Sequence, residues 1–379
     1  MKYHAGKLML QILMSMAVMT VQAQQPQKPE IHVPMAAESW AFSSDAVDFQ
    51  KIGDRPSMRI KNDTSLVTLN NTTFGSGTIE FDIQPPSEGF SSVYFRQQST
   101  AERECLYFRT GKNRNIEADD AVQYAPFIDG VNLWDLFPEY QSDASLKAGK
   151  WNHVKMIISG KQMRVYINDT LHAALAVPFL EGNTQTGAIA FDGRSLLSNL
   201  VIRPGVTAGL SPVPETDITD NNPRYIRNWE VSKNVVTMAW PIGFDAKYMP
   251  DSNTVWEPIK AERKGMVNLT RRFGGERKRS LVWLKSNIYA DSDINKILRF
   301  GFCDEVWAFL NGQVLYIGRN YFNSLTMKRP NGRISLENTT LNLPLKKGNN
   351  ELLIGVANAF YGWGIIAQLT DNSGVLINK

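Results

Sequence analysis

The segment from residue 150 to residue 168 constrains the fold more than any other part of the sequence. Its apolar residues alternate with polar ones in two runs: Val154, Met156 and Ile158, then Met163, Val165 and Ile167. A period of two is typical of β-strands that bury one face. Gly160, between the runs, can adopt the positive φ that a tight turn requires. The segment therefore predicts a β-hairpin whose apolar face needs a second sheet to cover it.

Further short alternating segments flank this hairpin on both sides. They are residues 65–69, 77–83, 92–96 and 105–109 before it, and residues 175–180, 187–191 and 198–202 after it. Strands at this spacing, with turn residues between them, are typical of a β-sandwich. We expect residues 198–202 to close the sandwich by pairing near its start.

A second series of strands follows a proline-rich segment. These strands are residues 235–240, 281–286, 296–302, 306–316, 341–345, 350–357 and 364–369, and Asn311-Gly312 predicts a hairpin turn within them. The prolines in residues 204–223 predict a stiffened linker. We therefore predict an all-β protein with two tandem β-sandwich (jelly-roll) domains. Its parts are a signal peptide (1–23), a leader (24–37), a first sandwich (38–204), a linker (205–223) and a second sandwich (224–379).

Residues 1–23 have the anatomy of a secretory signal peptide. Lys2 and Lys7 precede an apolar run at residues 8–21, and Val21-Gln22-Ala23 is a small-residue cleavage site. A membrane anchor is the alternative, but the run is short and Gln11 interrupts it. We expect a periplasmic or secreted protein with no membrane span after cleavage.

The charge balance argues against a nucleic-acid partner, and the positions of the two cysteines argue against a disulfide. The formal net charge is +4 and falls by two without Lys2 and Lys7, so we expect no nucleic-acid partner. Residues 260–279 carry eight basic and two acidic side chains, which could meet an anionic polysaccharide or form a solvated loop. Cys105 and Cys303 fall in different predicted domains, and we expect both to behave as small buried apolar residues rather than as a disulfide.

Short motifs in both halves resemble known families. Gly149-Lys150-Trp151-Asn152-His153-Val154 and Val165-Tyr166-Ile167-Asn168 resemble the central hairpin of laminin-G-like, concanavalin A-like jelly rolls. Residues 106–109, residues 120–126 and Trp134 are similar to a group of uncharacterised secreted bacterial proteins of this fold. Residues 309–312, 343–352 and 362–364 resemble the galactose-binding-like jelly rolls attached to β-galactosidases. The last resemblance implies that Trp363 packs in the core.

Two neighbouring strands predict a ligand surface on the first sandwich. Alternation places Tyr94 and Arg96 on the outer face of one strand, and Tyr107 and Arg109 on that of the next. Aromatic faces and guanidinium donors fit sugar rings and carboxylates. The alternative is a solvated face that binds nothing.

The long segment at residues 111–148 adds further candidate ligand contacts. Asp120, Gln123, Tyr124 and Trp134 lie in it, and long loops of this kind often carry function. Alternatively, Trp134 plugs one end of the sandwich.

Carboxylates of the first domain support an enzymatic alternative. Glu80, Asp82 and Gln84 share one face of a strand and resemble the Glu-Asp-Glu strand motif of laminarinase-type endoglucanases. Gln84 stands in place of the second glutamate, and a retaining mechanism needs two carboxyl groups. The domain also resembles that of keto-glycoside hydrolases, for which Glu80, Asp82, Asp120 and His153 would be the catalytic candidates.

The sequence predicts no cofactor with a recognisable motif. The histidines lack the paired spacing of a zinc site. Many lectin-like sandwiches carry calcium, and this resemblance leaves calcium open, with Glu117, Asp119 and Asp120 as its candidate ligands.

We therefore predict an exported, non-catalytic glycan-binding protein whose partner is an oligosaccharide or polysaccharide. A glycoside hydrolase of the concanavalin-like fold is the first alternative. A structural module that docks another protein is the second.

Overall fold

The computed structural model describes residues 29–111, 120–238, 244–275 and 279–377. The predicted signal peptide at residues 1–23 and the first part of the leader lie outside these ranges. None of the helices in these ranges is long and apolar enough to cross a membrane. The described chain consists mainly of strands in antiparallel sheets, which confirms the predicted all-β fold.

Within the described part of the first half there are seventeen strands and one 3₁₀ turn, at Ala37–Ser39. The strands are β1 (Ile31–His32), β2 (Trp40–Ala41), β3 (Val47–Ile52), β4 (Arg55–Ile60), β5 (Val67–Leu69), β6 (Gly77–Gln84), β7 (Gly89–Gln97), β8 (Glu104–Thr110), β9 (Val122–Tyr124), β10 (Phe127–Ile128), β11 (Val131–Asn132), β12 (Gln141–Ser142), β13 (Asn152–Ser159), β14 (Gln162–Ile167), β15 (Leu175–Val177), β16 (Ala188–Asp192) and β17 (Ser195–Pro204).

These strands form two large sheets and one small hairpin. One sheet has eight strands in the order β15-β14-β13-β6-β17-β4-β3, with β1 paired to β17. The other has seven strands in the order β12-β9-β8-β7-β16-β5-β2, while β10 pairs with β11. Inward side chains of the two large sheets meet in one apolar core, so the first half is a β-sandwich.

The central hairpin forms as the sequence predicts. β13 pairs with β14, and Gly160 between them has a φ of +53°. The inward residues of both strands are buried in the core: Val154, Met156, Ile158, Met163, Val165 and Ile167. The closing strand β17 pairs with β1, which also agrees with expectation.

One irregularity in β7 changes the direction of a side chain. Ala188 pairs with Gln97 while Ala190 pairs with Tyr94, so β7 contains one residue more than its partner strand at this point. Arg96 lies in this bulge with a φ of +51°. Because a bulge breaks the strict alternation of a strand, Arg96 no longer shares the face of Tyr94.

The second half, as far as the structure describes it, contains twelve strands and little helix. The strands are β18 (Asn228–Ser232), β19 (Val236–Thr237), β20 (Trp256–Lys260), β21 (Met266–Asn268), β22 (Ser280–Ala290), β23 (Ile294–Cys303), β24 (Glu305–Leu310), β25 (Gln313–Arg319), β26 (Thr339–Leu345), β27 (Gly348–Ala357), β28 (Gly364–Leu369) and β29 (Val375–Ile377). The helical elements are α1 (Leu269–Phe273) and two 3₁₀ turns, Ala246–Tyr248 and Arg263–Gly265.

These strands form a second sandwich. An eight-stranded sheet in the order β20-β18-β22-β27-β24-β25, with β19 and β29 paired to β22, faces a four-stranded sheet in the order β21-β28-β23-β26. Trp363 lies fully buried in the core between them, as predicted. Asn311 and Gly312 both have positive φ, and they close the predicted β24–β25 hairpin.

The predicted linker packs against both sandwiches. The backbone N–H of Lys161 donates to the carbonyl of Pro212 (3.3 Å). The Asp217 carboxylate accepts a hydrogen bond from the backbone N–H of Lys264 (2.6 Å). In addition, Met266 and Ile334 of the second half join the core of the first sandwich. The domain boundaries stay a prediction, but the sandwiches and the segment between them are in contact.

Two glycine substitutions test the packing of this segment on the central hairpin. A Cβ at Gly160 would lie 2.1 Å from the Pro212 carbonyl oxygen, whereas one at Gly53, also at positive φ, would have no atom within 4 Å. We expect Gly53→Ala to cost only backbone strain, about 1 kcal/mol. Gly160→Ala adds a clash and should lower the unfolding free energy by at least about 1 kcal/mol more. Equal decreases in the unfolding free energy of the two variants, measured by urea denaturation, would contradict this packing.

Candidate functional site

The outer face of the seven-stranded sheet is covered, although the sequence predicted an open ligand surface there. Tyr94, Tyr107 and Trp134 expose only 3%, 6% and 9% of their surface. They pack with small residues of neighbouring strands in an apolar cluster on this face. The prediction that these three rings lie open to solvent is therefore wrong.

The β10–β11 hairpin and Arg103 cover Tyr94. The Phe127 ring meets the Tyr94 ring edge to face at 5.8 Å, and the Arg103 guanidinium lies 3.6 Å from the Tyr94 ring centre. The Tyr94 hydroxyl donates to Asp192 Oδ2 (2.5 Å). Burial raises the pKa of Tyr94 and that of Asp192. Tyr94 therefore fixes the covering hairpin to the sheet.

Arg96 and Tyr124 belong to the interior rather than to an open surface. Arg96 donates to the carbonyls of Gly75 (2.8 Å) and Gly160 (2.7 Å). The Tyr124 hydroxyl donates to Glu104 (2.6 Å), which is fully buried. The prediction that Arg96 lies on an open face is wrong, because a bulge redirects its side chain. Tyr124, predicted as a ligand contact, instead lies on the core side of β9.

Four of the predicted ligand residues do come together, in what we call the polar strip: Tyr107, Arg109, Asp120 and Gln123. The Arg109 guanidinium donates to the Tyr107 hydroxyl (3.0 Å), to Gln123 Oε1 (2.7 Å) and to the Asp120 carbonyl (2.7 Å). It also pairs with the Asp120 carboxylate (3.2 Å). The Gln123 side chain is buried and donates to the carbonyl of Trp134 (2.9 Å). The strip thus attaches the long segment to the sheet.

Exposed aromatic rings that the sequence pattern does not predict contact Tyr107 of this strip and the neighbouring Trp134. Trp134 contacts Phe322 (5.0 Å), Phe360 (6.5 Å) and Tyr361 (6.0 Å), all from the second half. These three rings expose 45%, 43% and 46% of their surface. Phe90 of β7 exposes 55% and lies 6.0 Å from Tyr107. We call Phe90, Phe322, Phe360 and Tyr361 the ring surface.

The sequence carries only a weak signal for the ring surface. Phe360 and Tyr361 directly precede the Gly-Trp-Gly segment whose tryptophan was predicted to be core. Two adjacent aromatic residues in a loop are a signal of exposure, yet their contact with Trp134 spans more than two hundred residues of sequence. A strand pattern gives no information about such a contact.

Two buried carboxyl groups hold the loop that carries Phe360 and Tyr361. Asp304 Oδ2 accepts the backbone N–H groups of Ala359 (2.6 Å) and Phe360 (2.8 Å), and Asp135 Oδ1 accepts that of Gly362 (3.2 Å). Burial raises the pKa of Asp304 to about 7 and that of Asp135 well above its usual range. The two side chains therefore position the ring surface.

The same two carboxyl groups and the Cys303 thiol offer ligand atoms within 4.8 Å of one another. This set does not fit calcium, which takes about six to eight oxygen ligands. Of the predicted calcium ligands, Glu117 and Asp119 lie outside the described residues. Asp120 lies beside two arginines, Arg109 (3.2 Å) and Arg333 (3.9 Å). Cys105 and Cys303 are buried free thiols, as expected.

The residues of the enzymatic alternative do not form one site. Glu80, Asp82 and His153 lie together on the outer face of the eight-stranded sheet. Asp82 contacts His153 (2.9 Å), Arg55 (3.0 Å) and Asn199 (2.6 Å), while Glu80 pairs with Arg203 and Lys155. Asp120 instead contacts the outer face of the other sheet through Arg109. The four residues thus lie on opposite sides of the sandwich.

A further buried carboxyl group, Glu181, lies where the two halves meet. Tyr140 donates to its Oε1 (2.8 Å), and Arg271 of the second half donates to its carbonyl (2.8 Å). Burial, together with the nearby Glu139 and Glu262, raises the pKa of Glu181 to about 8. Glu181 is therefore mostly protonated at neutral pH and can donate a hydrogen bond.

The fold and its surfaces define an all-β protein of two tandem antiparallel sandwiches. No protein-family profile and no curated protein matches the chain.

Several solved structures resemble part of the chain. The carbohydrate-binding module CBM66 from Bacillus subtilis has 14% identity and a TM-score of 0.33, over 43% of this chain and 95% of that one. A Bacillus subtilis protein of unknown function with a galectin-like fold has 12% identity and a TM-score of 0.32, over 46% and 94%. A Bacillus licheniformis β-glucanase has 12% identity and a TM-score of 0.32, over 46% and 97%.

The raised pKa of Glu181 predicts how stability depends on pH. Between pH 4.5 and about 8 the folded protein holds a proton on Glu181 that the unfolded chain releases. The unfolding free energy should therefore fall as pH rises through this window, by at most about 1.4 kcal/mol per pH unit for one group. Glu181→Gln removes this contribution, so the variant should show a flatter pH dependence in urea denaturation.

Glu88→Gln, which removes an exposed carboxyl group, controls for the loss of one acidic side chain. Asp304, Asp135 and Glu104 also have raised pKa values. Because the wild type, Glu181→Gln and Glu88→Gln all retain these groups, their contributions to the pH dependence cancel in the comparison. If Glu181→Gln and the wild type lose stability in parallel across the window, Glu181 is not buried as described.

Proposed function

We propose that the protein is an exported glycan-binding protein whose saccharide lies on the ring surface. The observation that carries this proposal is a set of four aromatic rings, each about half exposed, that contact the buried Tyr107 and Trp134. The Arg109 guanidinium, paired with Asp120, lies 5.7 Å from the centre of the Phe90 ring. Exposed apolar patches with polar neighbours are typical of binding sites. The C–H faces of a sugar pack on aromatic rings, while Arg109 and Asp120 at the edge of the strip offer charged groups to its hydroxyls.

The buried tyrosines acquire a different role in this proposal. Tyr107 and Trp134 lie beneath the ring surface and support it, and Tyr94 fixes the covering hairpin. The strip and the two buried aspartates hold the rings in place without a ligand. Such preorganisation lowers the entropic cost of binding.

Two ring substitutions test this proposal. Phe360→Ala and Tyr361→Ala should each weaken binding to a responsive glycan by at least about tenfold, because each removes a stacking partner. Both side chains are partly exposed, so the melting temperature should change little. Leu171→Ala removes an apolar side chain that is 82% exposed on the first sandwich and serves as the matched control. The measurement is affinity electrophoresis against neutral and acidic polysaccharides, followed by calorimetry.

Protein docking is a second candidate, and one observation favours it. Leu325 is fully exposed, and Met327 is 39% exposed, on the loop that carries Phe322. A partner that covers both the loop and the rings would be a protein rather than a sugar. Saturable binding of a protein partner that Phe360→Ala and Leu325→Ala both abolish, with no response to any glycan, would replace the glycan proposal.

Catalysis by the first domain is tested separately. We expect no turnover of aryl glycosides or keto-glycosides, because Glu80 and Asp82 are held by cationic partners and lie apart from Asp120. A measurable rate that Glu80→Gln or Asp82→Asn abolishes would show that the protein is a hydrolase. In that case the ring surface altered in Phe360→Ala and Tyr361→Ala would bind the substrate of the hydrolase.

A further inference from the structure

A cavity of about 490 Å³ lies between the two sandwiches, away from the ring surface. Lys161, Phe179 and Glu181 of the first half and Glu262, Arg263 and Arg271 of the second half line it. Its volume falls in the range of roughly 300–1,000 Å³ that small-molecule sites occupy. None of its lining residues belongs to the ring surface or to the polar strip.

One charged pair in the cavity is neutralised internally. Arg271 Nε donates to Glu262 Oε1 (2.6 Å), and Arg271 Nη2 donates to the Glu181 carbonyl (2.8 Å). The other terminal nitrogen of Arg271 contacts the side-chain oxygen of Asn183. The Glu262–Arg271 pair therefore adds no net charge to the cavity, but it presents polar atoms at the cavity wall.

Two other cations in the cavity, Lys161 and Arg263, are offset less directly. The charges of Glu104 and Glu181 act on Lys161, and that of Glu181 also acts on Arg263. Among the described residues, no carboxylate lies within 4.0 Å of Lys161 or Arg263. Lys161 Nζ donates to the carbonyls of Leu180 (3.1 Å) and Gly182 (2.8 Å), and Arg263 donates to that of Glu215 (2.9 Å). Carbonyl groups accept hydrogen bonds from N–H donors but do not neutralise the positive charges, and Arg263 Nε is buried without a hydrogen-bond partner among the described residues.

Both cations lie beside the same aromatic ring. Lys161 Nζ is 5.3 Å and the Arg263 guanidinium 4.7 Å from the centre of the Phe179 ring. Two like charges close to one ring repel each other in a partly buried site. Burial also lowers the pKa of the Lys161 amine, and an anion in the cavity would raise it again. The site is therefore better suited to an anion than to a neutral molecule.

The two acidic residues whose charges act on these cations, Glu104 and Glu181, offset them only in part, because burial raises the pKa of both carboxyl groups. Glu181 has a pKa of about 8 and is mostly neutral at pH 7. Its Oε1 accepts from Tyr140, and in its protonated form the carboxyl group is itself a donor. The cavity thus combines positive charge, an aromatic ring and a neutral carboxyl donor.

We propose that this cavity binds the carboxylate of an acidic saccharide, with Lys161 and Arg263 contacting the carboxylate and Phe179 contacting the sugar ring. A guanidinium group suits a planar carboxylate because it can donate two parallel hydrogen bonds. Asn183 and the Glu262–Arg271 pair supply partners for the hydroxyl groups. The inference shares only the class of ligand with the proposed function and uses a separate set of residues.

The test measures binding of a galacturonic acid dimer by calorimetry, with a neutral galactose dimer and inorganic phosphate as separate arms. The acidic dimer should bind, binding should weaken as salt rises, and the neutral dimer should bind at least about tenfold more weakly. Lys161→Gln and Arg263→Gln should each weaken binding about tenfold or more. Arg263→Lys, which keeps the charge but not the planar group, should lie between Arg263→Gln and the wild type.

Arg164→Gln removes an exposed arginine from β14 and is the matched control, expected to leave binding unchanged. Equal affinity for the two dimers, or full affinity in both Lys161→Gln and Arg263→Gln, would overturn the proposal. Phosphate that binds as tightly as the acidic dimer would also overturn it, because the site would then recognise any small anion. If a variant unfolds, the wild-type protein still tests the proposal. Its binding of the acidic dimer must weaken with salt and must be tighter than its binding of the neutral dimer.

The ring variants separate this inference from the proposed function. Phe360→Ala should leave binding of the acidic dimer unchanged, because Phe360 does not line the cavity. Loss of acidic-dimer binding in Phe360→Ala, with full binding in Arg263→Gln, would refute the cavity proposal and leave the ring surface in place.

Discussion

The structure depends on covering the outer face of the seven-stranded sheet. That face carries Tyr94, Tyr107 and small apolar residues, which would be costly to leave in water. The β10–β11 hairpin covers one part, and Trp134 with the aromatic loops of the second sandwich covers the other. The second sandwich therefore does more than follow the first along the chain: it completes the packing of a sheet to which it does not belong. The rings that remain half exposed at the edge of this cover form the ring surface.

Buried ionisable groups take part in the contact between the two halves. Asp135 and Asp304 accept backbone N–H groups of the loop that carries Phe360 and Tyr361. The Glu181 carboxyl group lies at the same contact, although Arg271 reaches Glu181 through its backbone carbonyl. Burying a carboxyl group favours its neutral form, so the contact between the sandwiches is coupled to pH. The cavity beside Glu181 differs, because the charged lining groups that form no ion pair among the described residues, Lys161 and Arg263, are cations. The two surfaces thus differ in chemistry: one consists of exposed rings, the other of positive charge around a single ring.

The sequence determined the strands better than the site. Alternation at residues 154–167 and the Asn311-Gly312 turn depend on local chemistry, and both predictions are confirmed. The same alternation correctly placed Tyr94 and Tyr107 on the outer face of the sheet. It could not show that this face is covered, because the covering residues are distant in sequence. Arg96 was misplaced for a local reason, since a one-residue bulge interrupts the alternation at that position. The ring surface and the cavity both need residues from two sandwiches, and no strand pattern relates one sandwich to the other.

Hydroxyl-radical footprinting, read residue by residue with mass spectrometry, tests the central claim most directly. We predict rapid oxidation of the exposed rings, Phe90, Phe322, Phe360 and Tyr361. The buried rings, Tyr94, Tyr107, Tyr124 and Trp134, should be strongly protected. A bound glycan should then protect the first group without changing the second. Rapid oxidation of Tyr94, Tyr107 and Trp134 in the free protein would contradict the account, since it would show an open sheet face in place of a covered one.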